Sequence, residues 1–459
     1  MAVYFLCGIG GSGMMPLAQL LLKNGHEVWG SDRSRDQGKL PEKFKALEDM
    51  GAMLFDQNGT GISEQIDCFV VSSAVEESIP DVKVALEQGL TIQKRAEVLS
   101  SLFNAKKGLS VAGTSGKTTV TAMLGHVLSS LALEPTVVNG GMMLNFDGQG
   151  TVAGEGEYFV AETDESDGSI LFFKPFVGIL NNVALDHKPL DELKDIFKTY
   201  LESCEAAVVV NTDNAYAAEV LKNAQLGDQK VVTFSAKGKP ATVFAQDIKF
   251  SAFGASFDLY VDGDFIDRCT LNVPGAHNIA NALAVIGVCY ALGLPINKAT
   301  HGLHSFKGTK RRLEMVGTAH NITVYDDFAH NPDKLAASLS TLREFEGRLL
   351  LFFQPHGFNP MKMMRAEMVE SFVKGMGSED ILVMPEIYYA GGTVERSISS
   401  KDLIDDVVAA GKKAKFFETR KECGDYLIEE AKDGDRIVIM GARDDTLTIF
   451  AHHVLKSIS

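Results

Sequence analysis

Leu109-Ser-Val-Ala-Gly113-Thr114-Ser115-Gly116-Lys117-Thr118-Thr119 runs from a short apolar stretch through a glycine turn into residues that favour a helix. Gly-Lys-Thr behind a strand is the working end of a phosphate-binding loop. The lysine reaches the β- and γ-phosphates, and the following hydroxyl can coordinate Mg²⁺. Lys117 and Thr118 take those places, and Gly113–Thr119 reads as an ATP site. Two residues, not the usual four, separate the glycines. A strand that feeds a loop and then a helix also sets the fold class, because that unit belongs to a parallel sheet covered by helices.

Upstream, a second glycine turn has the same setting. Val3–Cys7 is an apolar run, and Gly8-Ile-Gly10-Gly11-Ser12-Gly13 precedes the helical spacing of Met14–Lys23. This is G-x-G-x-x-G, whose glycines let the backbone approach a pyrophosphate seated on a helix N-terminus. Asp32 closes the next strand, 19 residues beyond Gly13, where an acid meets a ribose. Alone, the turn suggests NAD. Its physics requires only a diphosphate with a sugar, which also describes a UDP-sugar.

The 459 residues leave room for two to four domains at about 100–200 residues each. The net charge of −16, with no long basic run, argues against nucleic acid as a partner. Six scattered cysteines show neither paired nor zinc-type spacing. They read as buried thiols of a cytoplasmic protein. The apolar N-terminus lacks a basic start and is broken by glycines, so neither a signal peptide nor membrane insertion is expected. Oligomeric state stays open.

Apolar runs alternate with helical stretches throughout, giving an α/β chain of three domains. Residues 1–107 form a Rossmann-like domain. Residues 108–312 form a P-loop central domain, with alternating residues over Thr242–Val273 and a turn at Asp262-Gly263 that add a small antiparallel β extension. Residues 313–459 form a second Rossmann-like domain. Further strands are expected at Tyr158–Ala161, Val177–Leu180, Ile322–Tyr325 and Arg348–Phe353.

Several of these strands end in chemistry. Glu162-Thr-Asp-Glu-Ser-Asp167 follows Tyr158–Ala161, where a carboxylate can hold Mg²⁺ beside the phosphate loop. Asn181-Asn182-Val-Ala-Leu-Asp186-His187 follows Val177–Leu180. Asn278 and Asn281 stand one turn apart on the next helix, with amides suited to an adenine edge. Lys310-Arg311-Arg312 marks the junction with the third domain, where an arginine can reach a γ-phosphate. Tyr325-Asp326-Asp327-Phe-Ala-His330-Asn-Pro332 closes a strand of the third domain. The residues alone leave two rivals: an NAD(P) oxidoreductase, which does not account for Gly113–Thr119, and a nucleotide-binding regulator without chemistry.

Gly8–Gly13, Ser72-Ser73-Ala74, Arg95-Ala-Glu97, Gly113–Thr119, Glu162–Asp167, Asp186-His187, Gly275–Asn281, Arg311-Arg312 and Asp326–Pro332 form an ordered series. Over nearly the whole chain it resembles the Mur ligases of bacterial peptidoglycan synthesis. The resemblance implies an ATP-dependent ligase that joins the carboxylate of UDP-N-acetylmuramate to an amine through an acyl-phosphate. It implies UDP-sugar contacts at Gly8, Gly10, Gly11, Ser12, Gly13, Asp32, Ser72, Ser73 and Arg95. It implies Mg²⁺, two ions in all, at Thr118, Glu162 and His187. It implies adenine contacts at Asn278 and Asn281, ATP contacts at Arg311 and Asp326, and an amine side at His330 and His356. The first segment is most similar to the L-alanine-adding members, which makes L-alanine the expected amine. Ser115, Gly357 and Pro360 depart from that pattern, where histidine and arginines are usual. Tyr325–His330 and Asn359-Pro-Met-Lys362 resemble the members that recycle murein tripeptide.

Overall fold

Short runs rich in β-branched and aromatic residues build the first sheet: Val3–Cys7 (β1), Glu27–Ser31 (β2), Met53–Phe55 (β3), Cys68–Val71 (β4) and Ile92–Lys94 (β5). The computed structural model describes residues 1–459 except 12, 73–77, 186–187, 252–253, 390–396, 443, 445 and 459. All pairings in this sheet are parallel, in the order β3-β2-β1-β4-β5. This is the doubly wound arrangement expected of a Rossmann-like unit, whose ligand crevice lies at the carboxyl end of the central strand. Helix Met14–Lys23 buries Met14, Leu17, Ala18, Leu20 and Leu21 on one helical stripe against it.

Ten strands form the second sheet: Lys107–Ala112 (β6), Thr136–Met143 (β7), Gln149–Val152 (β8), Tyr158–Glu162 (β9), Val177–Leu180 (β10), Ala207–Asn211 (β11), Lys230–Ser235 (β12), Val243–Ser251 (β13), Gly254–Val261 (β14) and Asp264–Leu271 (β15). Their order is β15-β14-β13-β12-β11-β10-β6-β9-β7-β8. Strand β6 therefore lies between β10 and β9, parallel to both, with Val111 opposite Glu162 and Ala112 opposite Leu180. That register brings three strand ends together: the phosphate loop after β6, the acid at the end of β9, and Asn181-Asn182 after β10. At the far side, β14 and β15 are joined by Asp262 and Gly263, at φ 51° and 90°. These are the angles of the tight hairpin expected at that dipeptide.

The third sheet is Glu314–Ala319 (β16), Ile322–Asp327 (β17), Leu349–Gln354 (β18), Ile381–Met384 (β19), Lys413–Phe416 (β20) and Arg436–Gly441 (β21), in the order β16-β17-β21-β18-β19-β20. Only the β16–β17 pair is antiparallel in that order. Its central strands are buried on both faces. One face packs Leu349, Leu351, Phe353 and Val438 under helices Pro332–Leu342 and Phe358–Gly375, and the other packs Leu350, Phe352, Ile437 and Ile439.

The chain divides into two compact units. One comprises Met1–Ile248, Phe257–Thr270 and His277–Phe306; the other comprises Lys249–Ser256, Leu271–Ala276 and Lys307–Ser459. Within the first unit, aromatic contacts fasten the first sheet's last helix to the second sheet. Phe103 meets Phe159 and Phe173 edge-on at 5.4 and 5.1 Å. Asn104 donates to the Phe172 carbonyl and accepts from the Lys174 N–H. All six cysteines are buried, and burial pushes the Cys7 and Cys204 thiols up to about 12. Among the described residues no helix is long and apolar enough to cross a membrane.

Candidate active site

In the first unit, the phosphate loop is shaped by two glycines and by the asparagines beneath it. Gly113 and Gly116 stand at φ 131° and 85°, which L side chains rarely adopt. A Cβ on Gly113 would fall 2.9 Å from the Asn182 carbonyl oxygen. Asn182 Oδ1 accepts from Thr114 Oγ1 (2.8 Å) and from the Ser115 N–H (2.9 Å), while its Nδ2 donates to the Ser115 carbonyl (2.8 Å). The loop is thus held before any nucleotide arrives.

Helix Lys117–Ser130 opens directly behind Gly116. Lys117 Nζ donates to the Gly113 carbonyl (2.8 Å) and to both oxygens of Glu165 (3.0 and 2.7 Å). Both side chains are largely buried, with 18% of Lys117 and 5% of Glu165 exposed. Glu165 therefore sets a carboxylate against the lysine that the phosphate-loop reading gives to an anion. Thr118 Oγ1 donates to Glu162 Oε2 at 2.9 Å, so the two expected metal-binding oxygens already touch.

A third strand completes that corner. Strand β7 passes so close that a Cβ on Gly140 would fall 1.8 Å from Glu162 Oε1. Glycine at 140 leaves a cradle around that oxygen. A hydroxyl and a carboxylate beside such a cradle suit a hard divalent cation such as Mg²⁺. Asp186 and His187 lie outside the described residues.

The first glycine turn carries its own cations. The Gly10 N–H donates to Asp32 Oδ2 (2.9 Å), and Asp32 Oδ1 accepts from the Ser34 N–H (2.8 Å). Asp32 thus fixes the turn and caps the following helix. Lys43 Nζ donates to the Gly10 carbonyl at 2.5 Å, and a Cβ on Gly13 would lie 3.0 Å from Arg95 Nε. A lysine and an arginine flank the turn, as a diphosphate site needs. Gly8 and Gly11 close the turn through the Gly11 N–H to the Gly8 carbonyl (2.9 Å). Ser72 lies half-buried just after β4, and Ser12 and Ser73 fall outside the described residues.

In the second unit the arginine pair divides. Arg311 is buried at φ 56°. Its Nε donates to Asp326 Oδ1 (3.2 Å), and its other nitrogens donate to the carbonyls of Asp444 (3.3 Å) and Gly441 (2.7 Å). Asp326 is fully buried, and its second oxygen accepts from Thr448 Oγ1 at 2.7 Å. The neighbouring Arg312 is exposed. Both guanidinium groups lie about 5 Å from the Phe328 ring, at 5.2 and 5.0 Å.

His330 follows on the same loop. Its Nδ1 lies 2.8 Å from the Phe328 carbonyl oxygen. A carbonyl only accepts, so Nδ1 carries the proton and Nε2 keeps its lone pair. Burial holds the imidazole pKa down to about 4, and the charges of Lys334, His356 and Arg312 press the same way. The His356 ring packs edge-on at 5.4 Å. Gly357 stands at φ 74°, and its N–H donates to the Tyr388 carbonyl. That conformation is one L side chains rarely adopt, and it suits the glycine at 357.

Three family models cover the chain: "Mur ligase family, catalytic domain" over residues 3–107, "Mur ligase middle domain" over 111–289, and "Mur ligase, glutamate ligase domain" over 311–443. A UDP-N-acetylmuramate–L-alanine ligase of Geotalea uraniireducens is 33% identical over 443 residues, 95% of this chain and 94% of that protein. The chain belongs to the Mur ligase family. The crystal structure of a UDP-N-acetylmuramate–alanine ligase from Thermotoga maritima superposes with a TM-score of 0.77 at 26% identity, covering 100% of this chain and 98% of that one. A murein peptide ligase from Psychrobacter arcticus shares the fold, with a TM-score of 0.67 at 23% identity.

This Mur ligase is therefore an ATP-dependent amide ligase. Neither the oxidoreductase nor the silent regulator expected as a rival is favoured. The structure brings together Gly113–Lys117, Thr118, Glu162, Asn278 and Asn281 in the first unit. Thr119 follows in the first turn of helix Lys117–Ser130. In the second unit it brings together Arg311, Asp326, His330 and His356. Reading the sequence missed Lys43, Glu165 and Gly140. Glu165 belonged to an acidic stretch already singled out, and Asn182 to the strand end beside it. Lys43 carried no local signal, because its partner is a backbone carbonyl 33 residues away.

Proposed function

We propose that this Mur ligase couples UDP-N-acetylmuramate to L-alanine with ATP cleaved to ADP and phosphate, in peptidoglycan precursor synthesis. The supporting observation is Lys117 beside the paired Thr118 and Glu162 at the joined ends of β6 and β9, in a chain one-third identical to L-alanine-adding relatives. Residues 1–107 would seat the UDP-sugar, with Lys43 and Arg95 flanking the diphosphate. Residues 108–312 would seat ATP, and residues 313–459 the amine.

The chemistry has two steps. A carboxylate oxygen of the sugar attacks the γ-phosphorus, the bond to the β–γ bridging oxygen breaks, and ADP leaves. The amine nitrogen then attacks the acyl carbon, phosphate leaves with the bonding pair, and the nitrogen loses its proton. Lys117 would pass from Glu165 to the phosphates and neutralise charge that spreads over them. Thr118 and Glu162, with His187, would hold Mg²⁺, which when bound draws charge from the γ-phosphate oxygens.

In the second unit, the exposed Arg312 would be the cation that reaches a phosphate, whereas Arg311 and Asp326, for which the family resemblance implies ATP contacts, hold the loop that bears it. His330, neutral with Nε2 as acceptor, would receive an N–H of the amine. Phosphate release from ATP and Mg²⁺ that requires both UDP-N-acetylmuramate and L-alanine tests this reading. Release driven by murein tripeptide in place of L-alanine would move the assignment to a recycling enzyme.

A further inference from the structure

Side-chain amides connect helix Ala276–Ala291 to the phosphate loop. Asn281 Nδ2 donates to Asn278 Oδ1 (3.0 Å). Asn181 Nδ2 donates to Asn281 Oδ1 (3.1 Å) and to the Ser115 carbonyl (3.2 Å). The three asparagines are 6%, 1% and 4% exposed for 278, 281 and 181. Gly116 leaves the room they need, since a Cβ there would fall 2.5 Å from Asn181 Nδ2 and 3.0 Å from Asn281 Oδ1.

The relay has one direction. The Ser115 carbonyl only accepts, so Asn181 must turn its nitrogen toward it. The two hydrogens of that nitrogen serve Ser115 and Asn281, and Asn281 must then offer its oxygen. The nitrogen of Asn281 is left for Asn278, which offers oxygen in turn. Flipping any one amide sets like atoms against each other. The arrangement carries a cost: Asn181 Oδ1 is buried without a partner among the described residues. A buried acceptor left unsatisfied marks a place where orientation matters more than local stability.

We propose that Asn181 and Asn281 are positioning residues for ATP. They fix the phosphate loop to the helix that carries Asn278, so the base seat and the phosphate seat are set as one body. Asn281 acts through Asn181 and Ser115 on the phosphates, beside the adenine contact that the family resemblance implies for it. This rests on the ATP reading of Gly113–Thr119.

The test is calorimetric titration of Mg-ADP and of AMP into the full chain, for wild type, Asn281→Leu, Asn181→Ala and the double variant. Only ADP carries the β-phosphate that the loop would hold. Each single variant is expected to bind ADP at least about tenfold more weakly, the effect of one buried hydrogen bond; Asn181→Ala should change AMP less than about twofold, and Asn281→Leu should weaken ADP about tenfold more than it weakens AMP. The double variant is expected to fall no further than Asn281→Leu, because both substitutions cut the same relay. Equal weakening of ADP and AMP by Asn281→Leu would leave the residue with the base contact alone and overturn the relay. So would a double variant weakened about tenfold beyond Asn281→Leu. Should Asn281→Leu not fold, Asn181→Ala alone decides by the same ratio. A wild-type chain that binds no ADP would remove the ATP reading itself, an outcome distinct from failure of the relay.

Discussion

Gly140→Ala is a one-methyl test of the corner where Thr118, Glu162 and β7 meet. The added Cβ would lie 1.8 Å from Glu162 Oε1, whereas such contacts essentially never fall under 3.0 Å. The carboxylate must therefore retreat by roughly 1.2 Å, the difference between those distances. The obstacle is the far end of a flexible side chain, so the fold should tolerate the change. Losing the Thr118–Glu162 hydrogen bond costs about 1 kcal/mol. Displacement by about 1 Å at a reacting centre costs about a hundredfold in rate, or about 2.7 kcal/mol of barrier. The assay is the initial rate of phosphate release across a Mg²⁺ titration, with a thermal melt of the same sample. Gly150→Ala is the control from the neighbouring strand, since its Cβ would make ordinary contacts at 3.5 Å with the Asn139 carbonyl oxygen and 3.6 Å with that of Gly141. Gly140→Ala is expected to melt near wild type, to turn over about a hundredfold more slowly, and to require more Mg²⁺; Gly150→Ala should match wild type. A Gly140→Ala enzyme within threefold of wild type at every Mg²⁺ concentration would show that the Glu162 carboxylate has no part in holding the metal.

Three further outcomes follow from the same structure. Lys117→Met should abolish turnover and destabilise the fold by about 2 kcal/mol, because it leaves the Glu165 carboxylate buried and unpaired; adding Glu165→Gln should restore the melting temperature but not the activity, and a single variant as stable as wild type would remove the ion pair from the account. Arg311→Ala should cost about 3 kcal/mol in a denaturant titration, since Asp326 is fully buried against it, whereas Arg312→Ala should stay within about 0.5 kcal/mol yet lose most turnover; the reverse pattern would exchange their roles. For His330 the folded pKa of about 4 lies below the ordinary value of 6.5, so the unfolded chain binds more protons between those limits. Stability linked to this residue is present above pH 6.5 and is lost as pH falls toward 4. His330→Gln should therefore lose less melting temperature than wild type between pH 7 and pH 5, and identical losses would show that the imidazole titrates normally.

The parts of this fold that were legible in the sequence are those specified locally. Val3–Cys7 with Gly8–Gly13, and Leu109–Ala112 with Gly113–Thr119, carry apolar period and turn chemistry in one stretch, and both are strand–loop–helix units in the structure. The Asp262-Gly263 turn is likewise a local signal. The hairpin of β7 and β8 gave no such signal, because Asn139-Gly-Gly141 breaks its alternation. Those glycines are there for the approach of Glu162 and Thr118, not for strand propensity. Strand β3, with only three residues, and the antiparallel edge strand β16 depend on neighbours remote in sequence. The site was legible as residue types at strand ends, but not as partnerships. That Glu165 holds Lys117, that Asp326 holds Arg311 buried while Arg312 is exposed, and that Asn281 hands its oxygen to Asn181 depend on contacts separated by 48, 15 and 100 residues.

A chain that uses ATP to join a UDP-sugar carboxylate to an amine must release phosphate in a way that depends on both, as the proposed function requires. Phosphate release with Mg-ATP and UDP-N-acetylmuramate, measured across L-alanine, glycine, L-serine and murein tripeptide, tests it most directly. Release is expected to need both the UDP-sugar and an amine, to be fastest with L-alanine, and to be abolished in Lys117→Met. Phosphate release indifferent to the UDP-sugar and to every amine, or none at all from an enzyme that binds ATP, would contradict it.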